Sequence, residues 1–371
     1  MPGRIRAGHD RGGGEPVAAE VLRALQAKVR GAVHREDDVR RRDDGRDDRR
    51  DDRGGDRGRT GCGCGTGDTV LADRDDATVV RHGDTVAKAH APGTDPGLLA
   101  LRTAVAAHPS LTGILLPPLR PDPVDLHGRL VTLWPYGAPV DPTAPEDAPW
   151  AEAGTLLARL HRTDTAALAH AAPPGTRQHR TPVRPLPPMR GPAKAARALN
   201  RLRAAGPHPA AAPLERAWST LPAWARDEAP MPPSRILCHG DLHLGQLLRG
   251  RAGGGPWLLI DIDDLGLGDP AWDLARPAAW HACGLLAPEE WNRFLTAYQQ
   301  EGGPAVPGIG EGDPWPALDV AARALTVQTG ALAVVRAVTE GRALDEIEQA
   351  VIDTCVRMAT VPVELARPTT K

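Results

Sequence analysis

Three blocks decide the reading of this chain: Ile236-Leu-Cys-His-Gly-Asp-Leu-His-Leu-Gly-Gln-Leu-Leu248, Trp257-Leu-Leu-Ile-Asp-Ile-Asp-Asp264 and Gly268-Asp-Pro-Ala-Trp-Asp-Leu-Ala275. The stretch from Ile236 to Pro270 has neither helical nor simple hairpin periodicity and reads as strand–loop–strand. Acidic side chains recur at Asp241, Asp261, Asp263, Asp264, Asp269 and Asp273, each beside short apolar runs.

Upstream of these blocks the texture is β. Thr69–Ala72, Ala77–Arg81 and Thr85–His90 are short strand-prone runs, the last two joined by a His82-Gly83-Asp84 turn. Ile114–Leu116 and Leu130–Trp134 supply two more candidates. Together with a helix at Pro96–His108, whose Leu98, Leu101, Thr103 and Val105 line one face, they predict a five-stranded antiparallel sheet ending near Tyr136-Gly137. Elsewhere the pattern is helical: Trp150–Arg162, Lys194–Ala205, Pro213–Arg226, Pro288–Gln300, Leu318–Thr339 and Leu344–Ala359. Pro173–Pro192 is Pro-rich and reads as a loop. Residues 1–66 differ from the rest. One helical-looking stretch, Val17–Val33, precedes the Arg-, Asp- and Gly-dominated run Arg35–Arg59, which is too poor in apolar residues to offset the entropy of ordering. The expectation is therefore α+β: an unstructured low-complexity extension over 1–66, a small antiparallel β lobe over 67–136, and a larger, mainly helical lobe over 137–366.

Composition narrows the function classes. Over 371 residues the formal net charge is -2, so no basic field points to nucleic acid or an anionic membrane. Aromatic residues make up only 3%, which leaves few platforms for stacking bases and a core built from Ala, Leu and Val. No apolar run reads as a bilayer span and no signal-peptide core follows Met1, so a cytoplasmic location is expected. The five cysteines are irregularly spaced, and the Cys62/Cys64 pair lacks partners at zinc-finger spacing.

The chemistry of the blocks fits phosphoryl transfer, which asks a protein for positioning and charge stabilisation rather than covalent steps. One carboxylate must accept the hydroxyl proton, an oxygen ligand one loop-turn on must reach a metal, and a second carboxylate must hold that metal. Asp241, Gln246 and Asp261 stand at that spacing, with the five-residue step between base and amide seen in kinase catalytic loops. The alternating His239, Asp241 and His243 also permit a metallohydrolase reading, although it leaves the second and third blocks unexplained.

The three blocks resemble the catalytic core of the aminoglycoside phosphotransferase family, whose signature runs His-Gly-Asp-Leu-His-x-Gly-Asn, Ile-Asp, and Gly-Asp-Pro-x-x-Asp-Leu-Ala. The resemblance implies a two-lobed protein-kinase-like fold from about Asp68 to Ala366, ATP or GTP as donor, Mg²⁺, and a small-molecule hydroxyl as acceptor. It implies Asp241 as catalytic base, Gln246 and Asp261 as metal ligands, and His239, Asp269 and Asp273 as structural supports. Lys88 would contact the donor's α and β phosphates, with Asp73–Asp76 at the tip of a flap, and Trp134 and Tyr136 would lie near the adenine. Three departures stand out: Gln246 replaces Asn, the flap tip is acidic rather than Gly-rich, and no Glu is available to pair with Lys88. They motivate the alternative of a weakly active or inactive nucleotide-binding pseudokinase with a regulatory role. Asp263 and Asp264 read equally as holding a cationic substrate or a second metal ion and as solvated loop acids, and the cations of Lys194–Arg203 read as a solvated helix face.

Overall fold

Buried alternation on short strands builds the first of two compact units, one comprising residues up to Thr103 with Pro117–Gly137 and the other Ala104–Leu116 with everything from Ala138 onward. The computed structural model describes residues 23–31, 68–74, 77–168, 185–250 and 254–361. In the first unit β1 (Thr69–Arg74), β2 (Ala77–His82), β3 (Thr85–His90), β4 (Val124–Leu126) and β5 (Arg129–Pro135) form one antiparallel sheet in the order β1-β2-β3-β5-β4. Gly83 takes a left-handed φ of 56° in the β2–β3 turn, where a side chain would be strained. Arg129 ties β5 to its neighbours by donating to the carbonyls of Ala89 and His90 and to the Thr78 hydroxyl.

The fifth strand is not the expected one. Ile114–Leu116 carries no strand of this sheet; Leu115 instead makes a lone parallel bridge to Leu259 within the second unit. Three residues on either side of the His127-Gly128 turn pair as β4 and the start of β5. A short apolar run with no alternation cannot be assigned to a sheet from sequence alone.

A helix, α1 (23–31), lies within the stretch expected to be an extension. Its Leu25 and Val29 are fully buried in one cluster with Val80, Ala87, Ala89, Val131 and Leu133. Two apolar residues four apart are enough to seat one face of a short helix on a sheet. The whole Arg/Asp run, Cys62, Cys64, the flap tip at 75–76 and the greater part of Pro173–Pro192 fall outside the described residues.

The second unit is mainly helical: α2 (Pro96–Ala106) leads into it, followed by α3 (Trp150–His161), α4 (Thr165–Leu168), α5 (Gly191–Ala204), α6 (Ala211–Ser219), α7 (Ala271–Ala282), α8 (Pro288–Gln300), α9 (Trp315–Glu340) and α10 (Glu346–Met358). Four short strands sit between α6 and α7: β7 (Ile236–Cys238), β8 (Leu247–Arg249), β9 (Trp257–Leu259) and β10 (Gly266–Gly268). β7 pairs antiparallel with β10, and β8 lies between β9 and β6 (Ala138–Pro139). Helices α3 and α8 pack so closely that a Cβ on Gly154 would sit 2.2 Å from the Phe294 carbonyl oxygen. One sequence expectation needs amending: α9 is long and apolar enough to cross a bilayer. Its most apolar window is 72% buried inside the structure, however, as in the core helix of a folded unit.

Leu25→Ala is expected to cost about 2–5 kcal/mol of stability, the range for emptying a buried leucine site. Urea unfolding monitored by circular dichroism checks it, and an unchanged midpoint would mean that α1 does not pack on the sheet.

Candidate active site

Strand β7 ends at Cys238, and the chain then turns through His239-Gly240-Asp241 into a loop rather than continuing the sheet. Gly240 makes the turn possible. Its φ is +85°, and a Cβ there would lie 2.4 Å from the Asp264 carbonyl oxygen. The freed backbone donors go to one buried acceptor on α7: Asp273 accepts from the N–H of His239 at 2.6 Å and of Gly240 at 2.7 Å. His161, at the end of α3, lies with Nε2 3.0 Å from the same carboxylate. Because a carboxylate only accepts, His161 Nε2 donates, and its Nδ1 lies 2.8 Å from the Tyr298 hydroxyl. The Tyr298 oxygen in turn accepts from the Ala305 N–H. Asp273 is fully buried and His161 nearly so, and each buried polar atom in this chain of groups has a partner.

His239 donates from Nε2 to the Ile260 carbonyl at 2.7 Å. This contact fastens the first block to the second, as does the Ile260 N–H donating to the Gln246 carbonyl. Asp261 follows in a left-handed conformation, φ 64° and ψ 80°. Gln246 is buried, with its carboxamide 3.2 Å from His243 Nε2 and 3.4 Å from an Asp261 carboxylate oxygen. An amide and a carboxylate side by side, the amide able to present its oxygen on a half-turn, form a hard oxygen set that suits Mg²⁺. Burial, then the nearby Arg276, push the His243 imidazole down to about 4, so it is neutral at physiological pH. Asp269 is held by the Ala271 N–H, and burial raises its carboxyl.

Asp241 is gripped from two helices. Arg276 of α7 donates to one carboxylate oxygen at 2.8 Å, and Lys194 of α5 reaches the other at 2.5 Å. Burial favours the neutral acid, but the two cations outweigh it and hold the carboxyl below the usual range. Lys194 also contacts Asp264 at 2.7 Å, and Arg190 lies 3.4 Å from the same acid. Lys194 is thus no part of a solvated helix face, and Asp264 is no solvated acid.

Sequence reading passed over three of these residues. Arg276 stands directly after the third block, one helical turn from Asp273, and His161 falls four residues after Leu157 on the apolar face of α3; both carried a spacing signal. Lys194 carried none, because a cation recurring every few residues on a helix reads as solvated. His239, Asp241 and His243 do not converge on a common point. Among the described residues, the one trio of ligand atoms within 4.8 Å of one another is His161, Cys238 and Asp273, and three N–H donors already engage the Asp273 carboxylate there.

In the first unit Lys88 occupies β3 opposite Val79 on β2 and Thr132 on β5. Its neighbours Ala87 and Ala89 point into the core beside α1, so Lys88 emerges on the opposite face of the sheet. Trp134 donates from its indole to the Thr132 hydroxyl at 2.8 Å, and the Arg81 guanidinium covers the Tyr136 ring at 3.4 Å from its centroid. That face of Tyr136 is therefore occupied by the protein itself.

A family model described as the phosphotransferase enzyme family (APH) matches residues 72–315. No curated protein sequence matches the chain. Solved structures of similar fold include spectinomycin phosphotransferase APH(9)-Ia in complex with ADP and spectinomycin, 13% identical, with 80% of this chain and 93% of that one covered at a TM-score of 0.50. A thermostable mutant of aminoglycoside phosphotransferase APH(4)-Ia is 12% identical over 79% and 94% of the two chains, also at 0.50. A choline/ethanolamine kinase family protein from Mesorhizobium loti is 17% identical over 82% and 92%, at 0.48.

Asp273→Asn keeps the side-chain shape but sets an NH₂ against one of three N–H donors. Each donor left unsatisfied is expected to cost roughly 1–3 kcal/mol. A fall in the chemical-denaturation midpoint checks this, and an unaltered midpoint would show that the carboxylate is not the anchor of the loop.

Proposed function

We propose, for a chain that belongs to the phosphotransferase enzyme family, that it moves the γ-phosphoryl group of ATP, or of GTP, to a hydroxyl of a small molecule. The observation that carries this reading is the fixed Asp241 carboxylate, held on a loop whose backbone is fastened to Asp273 while Gln246 and Asp261 stand together beyond it. The acceptor oxygen attacks the γ-phosphorus, and its proton passes to Asp241. The bond from that phosphorus to the β,γ-bridging oxygen breaks, and its electron pair leaves on the nucleoside diphosphate.

Asp241 keeps lone pairs for the acceptor hydroxyl beyond those engaged by Lys194 and Arg276, since a carboxylate has about four acceptor sites. A carboxyl held this acidic is a weak base. That is adequate where the transition state is loose and the base chiefly orients the hydroxyl. Gln246 and Asp261 are the residues assigned to Mg²⁺, which when bound neutralises charge on the donor phosphates. Lys88 is assigned to the α and β phosphates, and Trp134 to the neighbourhood of the base. His239, Asp269 and Asp273 are assigned to support of the loop. The presence of base, metal-ligand pair and lysine speaks against the inactive, regulatory alternative.

Asp241→Asn is expected to lower turnover by 100-fold or more, within the range for losing a positioned base, and to leave nucleotide affinity within about threefold. EDTA is expected to abolish turnover, and added Mg²⁺ to restore it. Coupled detection of nucleoside diphosphate checks both, and full activity in the Asn variant would refute the assignment.

A further inference from the structure

Helix α9 carries one polar group with no partner in the protein. Gln328 is only 5% exposed on this apolar core helix, and among the described residues no hydrogen bond engages its carboxamide. A buried amide in that condition is costly unless something outside the chain satisfies it. Gln328 is not sealed off, however. It lines a narrow recess together with Lys194, Asp241, Trp272 and Arg276. Trp272, which forms part of the same wall, also has a buried indole N–H that no protein group accepts.

The size of the recess decides what it can take. Its volume is about 10 Å³, the room of a single water and too little for the body of an acceptor. A buried water is held by roughly two to four polar partners, and this wall offers them. Lys194 and Arg276 cannot serve Gln328 directly, being donors committed to Asp264, to the Leu242 carbonyl and to Asp241. Asp241 has capacity left. Arg276 engages one of its oxygens and Lys194 the other, whereas a carboxylate has about four acceptor sites. One remaining site serves the acceptor hydroxyl, and the second is free for a water.

Resting on the phosphotransferase reading above, we propose that the recess binds one water, which joins Gln328 to the Asp241 carboxylate and makes Gln328 a positioning residue for the base. The water donates one hydrogen to Asp241 and meets the carboxamide with its other hydrogen or a lone pair. The base is then held from three helices, α5, α7 and α9, and the polar side chain in the middle of α9 has a role.

Gln328→Met keeps the length and volume of the side chain and removes its polar atoms, so the unfolding midpoint is expected to be unchanged or higher. Crystal structures of the wild type and of this variant, both with Mg-AMP-PNP, are expected to differ at one site. A water within about 3.2 Å of both Gln328 and Asp241 is present in the first and absent from the second. Turnover is read with Mg-ATP and the best acceptor of a glycerol, glucose, serine and ethanolamine panel. In Gln328→Met kcat is expected to fall about tenfold, the loss of one hydrogen bond to a charged group, with KM for ATP within about twofold. Gln328→Asn, which leaves room for water to follow the shorter amide, is expected to regain most of kcat. In an Asp241→Asn background Gln328→Met is expected to change turnover by less than about twofold, because its effect passes through the base. No water between Gln328 and Asp241 in the wild type, an unchanged kcat, or a loss of the same size in the Asp241→Asn background overturns the proposal and leaves the phosphotransferase reading standing. If no acceptor of the panel is phosphorylated, the two crystal structures decide. A bridging water in the wild type, with the Asp241 carboxylate displaced in Gln328→Met, upholds the positioning role and counts against the transfer reading. No such water, or a carboxylate that stays in place, overturns the proposal.

Discussion

One buried carboxylate organises the second unit. Asp273 has no access to water and is surrounded by N–H donors from His239, Gly240 and His161. A charge in such a place is tolerated only when nearly every lone pair is engaged, so its partners cannot move independently. The turn after β7, the start of α7 and the end of α3 are thereby held to a common point. Through Tyr298 the constraint reaches α8 and the Ala305 backbone. Asp241 follows Gly240 directly, and its position is a consequence of this anchor.

The second constraint is electrostatic and acts on Asp241 itself. Two cations from helices far apart in sequence engage its two oxygens, which fixes both the direction and the charge of the carboxylate. Lys194 is shared with Asp264, so the Asp241 and Asp264 carboxylates are coupled through one ammonium group. Substitution of Gln for Asn at position 246 is accommodated by burial of the longer side chain between His243 and Asp261.

Much of this was legible in sequence, for identifiable reasons. Helix α8 has the expected bounds, Pro288–Gln300, because a proline at its first position and a clean apolar stripe mark it. Strands β2, β3 and β5 were visible through alternation and the Gly83 turn. Strand β4 was not, since Val124–Leu126 is three residues long and only the pairing with β5 defines it. Helix α1 was visible as helical texture in Val17–Val33, but its burial was not: the neighbouring Arg/Asp run dominates the composition of that stretch. In the site, residues that act through local backbone were readable from spacing, whereas Lys194 was not. It lies 2.5 Å from Asp241 only because α5 packs against the loop, a contact between residues nearly fifty positions apart.

Phosphoryl transfer by this loop remains to be distinguished from nucleotide binding or hydrolysis alone. ³¹P NMR of ATP incubated with the protein, Mg²⁺ and a mixture of small hydroxyl compounds tests it most directly. ADP is expected to appear in step with a new phosphomonoester resonance. Inorganic phosphate as the sole phosphorus product besides ADP, or ATP left intact, would contradict it.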